Sequence, residues 1–205
     1  MSRAGLRFLA LGDSYTIGEG VPEAARWPVQ LAAALRAEGL ALEDPRIIAT
    51  TGWTTDELAA AIDAAAPTSD YALVSLAVGV NNQYRGRDVD EYATQFGDLL
   101  QRAVGFAGGH ASQVLVLSIP DWGCTPFALG LGRQNAQTSL QIDAFNAAAR
   151  SACAELGAAF VDITHDSRRL GMDPAMLADD GLHPSGAMYA LWAHRALPAA
   201  RDALA

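Results

Sequence analysis

The sequence of 205 residues is poor in cysteine and in cationic side chains, and no apolar stretch in it approaches the length of a membrane span. Each shortage excludes something. Two cysteines, Cys124 and Cys153, cannot build a disulfide framework, and such sparse usage reads as two buried thiols in a reducing compartment. Lys plus Arg number 14 against 23 Asp plus Glu, a net charge of −9. That balance leaves no basic surface for phosphate backbones and argues against nucleic acid as a partner. It also disfavours adhesion to anionic membranes. The N-terminal "MSRAGLRFLALGDSY" has too short an apolar run for a signal peptide and lacks a small-residue cleavage site. No Cys/His cluster has metal-ligand spacing, and no glycine-rich phosphate loop precedes a lysine. The expectation is a cytoplasmic protein without stable membrane association, metal or cofactor.

The composition is otherwise that of a globular protein, 51% hydrophobic and 18% charged. At this length a single domain over residues 1–205 can bury a sizeable core without staples. Short apolar runs alternate with longer amphipathic segments. The runs predict strands at Arg7–Leu11, Arg46–Thr50, Tyr71–Val78, Gln113–Ile119 and Ala158–Ile163. The third, "YALVSLAV", is apolar on both parities, as a parallel strand covered on both faces must be.

The intervening segments carry helix signals. "WPVQLAAALRAEG" places Pro28 near a start and Gly39 at an end. Thr54 and Glu57 have capping-box spacing. Phe96, Leu99, Leu100, Ala103 and Val104 share one helical face ahead of Gly108–Gly109. Ile142, Phe145, Ala149, Cys153 and Leu156 share another, closed by Gly157. A last helix, Pro184 to Ala200, turns Met188, Leu191 and Trp192 inward. Strand–helix alternation throughout predicts an α/β fold, a three-layer α/β/α sandwich around a five-stranded parallel sheet, flavodoxin-like, of order 2-1-3-4-5.

Ligands of open α/β sheets bind outside the carboxyl ends of the strands. The loops there are "GDSYTIGEG" with Ser14, "TGWTTDE" with Gly52, "GVNNQYRG" with Asn81 and Asn82, "PDWGCTPF" with Trp122, and "DDGLHPSG" with Asp180 and His183. Each alone is an ordinary turn or cap; their convergence on one sheet edge is what points to chemistry. A serine hydroxyl needs an imidazole base, and the imidazole needs a carboxylate to hold its tautomer. Asp180 and His183 supply both from one tight turn, with Gly181 allowing the bend. The tetrahedral intermediate needs N–H donors, which Gly52 and Asn81 carry. The G-x-S-x-G elbow is absent, since Thr16 stands where its second glycine would be.

At these residues the chain resembles the SGNH, or GDSL, hydrolase family. "GDSY", Gly52 in "TGWTTDEL", "GVNN" and "DGLHPS" match its four blocks in the family's order, across nearly the whole chain. The resemblance implies a flavodoxin-like fold and hydrolysis of carboxylic esters or thioesters. It implies Ser14 as nucleophile, His183 as base and Asp180 as its partner. The oxyanion hole would be the Ser14 and Gly52 backbone N–H groups with the Asn81 side chain. Asn82 stands where the family usually has aspartate, and as a near-isostere it is expected to keep supporting Asn81.

Tyr84, Arg85 and Trp122 follow strands three and four and are candidates for the substrate pocket. His110 reads as a solvated loop residue, His194 as a surface or packing histidine, and His165 as no partner of the adjacent Asp166. The expected function is cleavage of small acyl esters through an acyl-enzyme, the short loops and missing lid favouring small substrates. Alternatives are an acyl-thioesterase, a lysophospholipase, a sugar O-deacetylase, or a non-catalytic relative that binds an acyl or glycan ligand.

Overall fold

A computed structural model describes residues 5–132 and 136–205. Its strands are β1 (Phe8–Gly12), β2 (Arg46–Ala49), β3 (Leu73–Ala77), β4 (Val114–Leu117) and β5 (Ala159–Val161). They form one parallel sheet in the order β2-β1-β3-β4-β5, as the alternation predicts. The helices are α1 (Ser14–Ile17), α2 (Trp27–Ala37), α3 (Thr55–Ala65), α4 (Val80–Tyr84), α5 (Val89–Phe106), α6 (Pro126–Gly130), α7 (Ala136–Leu156), α8 (Thr164–Leu170) and α9 (Gly186–Leu204). The strands are shorter than their apolar runs, because those runs continue into the loops that flank them.

Handedness sorts the helices into layers. The chain steps one way from β1 to β2 and the other way from β2 through β3 and β4 to β5. Right-handed crossovers then put α2 on one face and α3, α5 and α7 on the opposite one. Accordingly α2 packs on α9, while α5 packs on both α3 and α7. β1 and β4 are buried along their whole length, which accounts for strands that are apolar on both parities. Trp27 and Trp192, fully buried, mark the core on the α2–α9 side, and Tyr92, stacked on Phe145 at 4.6 Å, marks it on the other.

Register levels the ends of three strands. Gly12 pairs with Ala49 of β2 and with Ala77 of β3. The loops after β1, β2 and β3 therefore leave the sheet side by side, at the point where strand order reverses and a crevice opens.

Several sequence expectations need correction. Leu156, the last residue of α7, is 37% exposed and lies outside the buried face of that helix. Cys124 is half-buried rather than buried, although both thiols are free. The last helix starts two residues later than Pro184, behind the Ser185 cap, and runs on through Pro198 to Leu204. Pro198 and His194, whose carbonyl loses its partner, both face solvent, so the missing hydrogen bond leaves no buried orphan. The buried face of α5 and the packing of Met188, Leu191 and Trp192 are as expected.

Candidate active site

β1 ends in a glycine for want of space, not for an unusual φ. A Cβ on Gly12 would lie 2.2 Å from Thr16 Oγ1 and 2.6 Å from the Ala77 carbonyl. Directly after it, the Asp13 carboxylate accepts from the Tyr15 N–H at 3.0 Å and caps α1. Ser14 is thereby the first residue of a helix that starts at the rim of the sheet. Its own N–H belongs to the first-turn donors without an intrahelical acceptor. Burial of the Asp13 carboxyl pushes it up to about 7, against hydrogen bonds from backbone N–H groups including those of Tyr15 and Gly79.

The candidate acid and base come from the turn before α9. Asp180 Oδ1 accepts from the N–H groups of Leu182 and His183, each at 2.9 Å, and Oδ2 lies 2.6 Å from His183 Nδ1. Gly181 has a φ of +66°, the left-handed geometry that this bend demands. Partial burial opposes ionisation of Asp180, but the His183 ring and the two N–H bonds outweigh it and hold the carboxyl below its ordinary value. With Nδ1 donating to Asp180, the lone pair of His183 is on Nε2. Tyr15 packs against the imidazole, ring centroids 5.5 Å apart.

Gly52 and Asn81 stand on the neighbouring loops. Gly52 has a φ of +89°, and Asn81 donates through Nδ2 to the Trp53 carbonyl at 2.9 Å. Asn82, fully buried, accepts from the Thr55 N–H at 3.1 Å and donates to Thr55 Oγ1 at 2.7 Å. The Thr55 hydroxyl donates onward to Gln95. An aspartate at position 82 could only accept at both contacts, so the amide sets the direction of this chain of bonds. Glu57 takes the Thr54 N–H at 2.9 Å in the predicted capping box that starts α3.

Ser14, Gly52, Asn81 and His183 open onto one cleft of about 210 Å³. Tyr84 and Trp122 line it, as their positions after strands three and four predict, and so do Tyr15, Thr51, Val80, Phe127 and Leu182. Phe127 and Leu182 lie in the quoted loops beside Trp122 and His183, but apolar residues there carry no chemical signature. Trp122 is held by a bond from its indole N–H to Gln83 Oε1 at 2.7 Å, and Gln83 donates to Gln141 at 2.8 Å. Its loop is fixed further by the buried Asp121, paired with Arg168 Nε at 2.8 Å. Arg85 departs from expectation: it does not line the cleft but binds Gly52 from outside.

The remaining histidines stay apart. His110, His165 and His194 are exposed, and Asp166 pairs with Arg195, not with His165. Among the described residues no group of three metal-ligating side chains is arranged to hold an ion, and no helix is long and apolar enough to cross a membrane.

Comparison with known proteins bears on the fold and the family. No curated protein matches the chain. Among solved structures, TesA has 22% identity and a TM-score of 0.74, covering 97% of this chain and 99% of its own. Axe2, an acetylxylan esterase from Geobacillus stearothermophilus, has 20% identity and a TM-score of 0.71, covering 96% and 94%. The psychrotrophic esterase EstA from Pseudoalteromonas sp. has 16% identity and a TM-score of 0.72, covering 95% and 96%. Likeness at such identity concerns the fold. The family model, by contrast, matches this sequence directly, over residues 10–191, and the chain belongs to the GDSL-like lipase/acylhydrolase family, as a GDSL-type hydrolase of ester bonds.

Proposed function

We propose that the protein is a cytoplasmic serine esterase acting on small acyl esters through an acyl-enzyme on Ser14. The observation that carries this reading is the Asp180–His183 contact of 2.6 Å, with His183 and Ser14 sharing one cleft. His183 Nε2 takes the Ser14 proton as Oγ attacks the ester carbonyl. Asp180 holds the imidazole in the required tautomer and stabilises the imidazolium. The oxyanion rests on the N–H groups of Ser14 and Gly52 and on the Asn81 amide. His183 then protonates the leaving alcohol, and a water molecule, activated by the same imidazole, releases the acid. No cofactor enters this sequence of steps.

The cleft supports small substrates. Its volume of about 210 Å³ is below the ~300–1,000 Å³ of pockets for drug-sized ligands. Tyr84, Trp122 and Phe127 give it an apolar aromatic wall suited to an acyl chain. Thr51, which also lines the cleft, favours a second reading, removal of acetyl groups from a sugar: it hydrogen-bonds Glu19, both exposed, and the pair offers polar partners for hydroxyl groups.

The test is Ser14→Ala with p-nitrophenyl acetate, beside fluorophosphonate labelling of the wild type. Loss of turnover in a folded variant, with a single adduct on Ser14, is expected. Wild-type turnover in the variant overturns the mechanism. A panel of acyl esters, thioesters, lysophospholipids and acetylated sugars, ranked by kcat/KM, separates the substrate readings.

A further inference from the structure

Two donors of the proposed oxyanion hole lie on separate loops, and Arg85 touches both. Its backbone N–H donates to the Asn81 carbonyl at 3.0 Å, closing α4. Its side chain reaches back to the loop after β2. Nη2 donates to the Gly52 carbonyl at 2.7 Å, and Nη1 donates to Glu57 Oε2 at 3.2 Å. That Glu57 oxygen also accepts the Thr54 N–H at 2.9 Å, so the guanidinium grips a loop already anchored to α3. The planar fork of arginine suits two acceptors at fixed separation, which an ammonium group cannot match.

Gly52 needs an external restraint. It has a φ of +89°, in a region where glycine is conformationally permissive. Among the described residues, the only heavy atom within 4 Å of a Cβ built there, its chain neighbours apart, is Arg85 Nη2 at 3.9 Å. A turn bond from the Trp53 N–H to the Thr50 carbonyl, long at 3.3 Å, spans Gly52, and Arg85 adds the restraint on its carbonyl. Asn81 is different: its amide is tied directly to Trp53.

We infer that Arg85 is a positioning residue for the oxyanion hole: by holding the Gly52 carbonyl it fixes the peptide that follows Gly52, and so limits the rotation about the Gly52 Cα that would swing the preceding peptide, whose N–H meets the developing negative charge. The inference rests on the assignment of Gly52 as an oxyanion donor. The Arg85 and Glu57 side chains are 44% and 42% exposed, and exposed ion pairs add little to stability. The effect of Arg85 is thus expected in turnover, with the fold left intact.

The experiment compares the wild type, Arg85→Ala, Arg85→Lys and Ser14→Ala on p-nitrophenyl acetate, with Tm measured for each. Arg85→Ala is expected to lower kcat by about 10- to 100-fold, since a misaligned donor forfeits part of its transition-state stabilisation. KM and Tm should hold. Millimolar guanidinium should restore part of the lost kcat in Arg85→Ala, and Arg85→Lys should fall between the two. Wild-type kcat in Arg85→Ala, a loss confined to KM, or no guanidinium rescue overturns the inference. If the alanine variant melts early, Arg85→Lys decides: reduced kcat at unchanged KM supports the role, and wild-type kcat sinks it. An active wild type with a dead Ser14→Ala but an indifferent Arg85→Ala removes only this inference. An active Ser14→Ala removes the esterase reading and this inference with it.

Discussion

Asn81 Nδ2 and the Trp53 carbonyl are joined at 2.9 Å across 28 positions of sequence. That bond fastens the loop after β3 to the loop after β2, and so brings the Asn81 amide and the Gly52 peptide to the same cleft. One amide hydrogen is used for positioning, and the other is the donor that the proposed oxyanion hole calls for. Asn81→Ala removes both. Turnover of p-nitrophenyl acetate is expected to fall by about 10²–10³ with little change in KM, the usual cost of one oxyanion donor. Unchanged kcat would remove Asn81 from the hole.

Asp180 bonds His183 Nδ1 and two backbone N–H groups, so it holds both the ring and the turn. Asp180→Asn keeps the shape but cannot accept the Nδ1 proton with a charge behind it. A loss of roughly 10⁴ in kcat is expected, as when a triad carboxylate is neutralised. Retained activity would assign the carboxylate a structural role only.

Asp13 makes stability depend on pH. Its carboxyl is raised from 3.8 to about 7 by burial, so the folded state holds the proton more tightly than the unfolded chain. The contribution is fully present below about pH 4 and is lost as pH rises towards 7, by a few kcal/mol. Asp13→Asn keeps an N-cap acceptor and removes the charge. Chemical denaturation at pH 5 and pH 8 should show the variant gaining on the wild type at the higher pH. A constant difference between the two proteins would rule Asp13 out as the source.

Asn82 is buried, and Thr55 has both an N–H and a hydroxyl committed to it. Asn82→Ala leaves the Thr55 N–H without its acceptor, while the Thr55 hydroxyl keeps Gln95. A destabilisation of about 1–3 kcal/mol is expected from urea unfolding, together with reduced kcat through the displaced Asn81. Asn82→Asp keeps both contacts by accepting from Thr55, and its cost should be smaller. An aspartate variant less stable than the alanine variant would contradict this account.

Tyr84 walls the cleft edge-on to Trp122, ring centroids 5.2 Å apart, and is itself 41% exposed. Tyr84→Ala should open the apolar end of the cleft at modest cost to the fold. The ratio of kcat/KM for p-nitrophenyl octanoate to that for the acetate is expected to rise. An unchanged ratio would place the acyl chain elsewhere.

Much of the site could be read from residue order alone. Strand order, the level of the active loops, and the trio of Ser14, Asp180 and His183 follow from local patterns: apolar runs, glycine and proline punctuation, and short motifs with fixed spacing. Such signals are local, because backbone preferences and turn chemistry depend on near neighbours. The support beneath them depends on contacts across long separations. Nothing near Gly52 announces that Arg85, 33 positions away, holds its carbonyl. Nor does the run around Gly12 reveal that Thr16 and the Ala77 carbonyl leave it no room for a side chain. Leu156 fits the buried face of its helix by periodicity and is nevertheless exposed, because a helix repeats its stripe whether or not a neighbour is there to cover it. Sequence order thus marks which groups are candidates for the chemistry, while packing between distant segments settles how they are held.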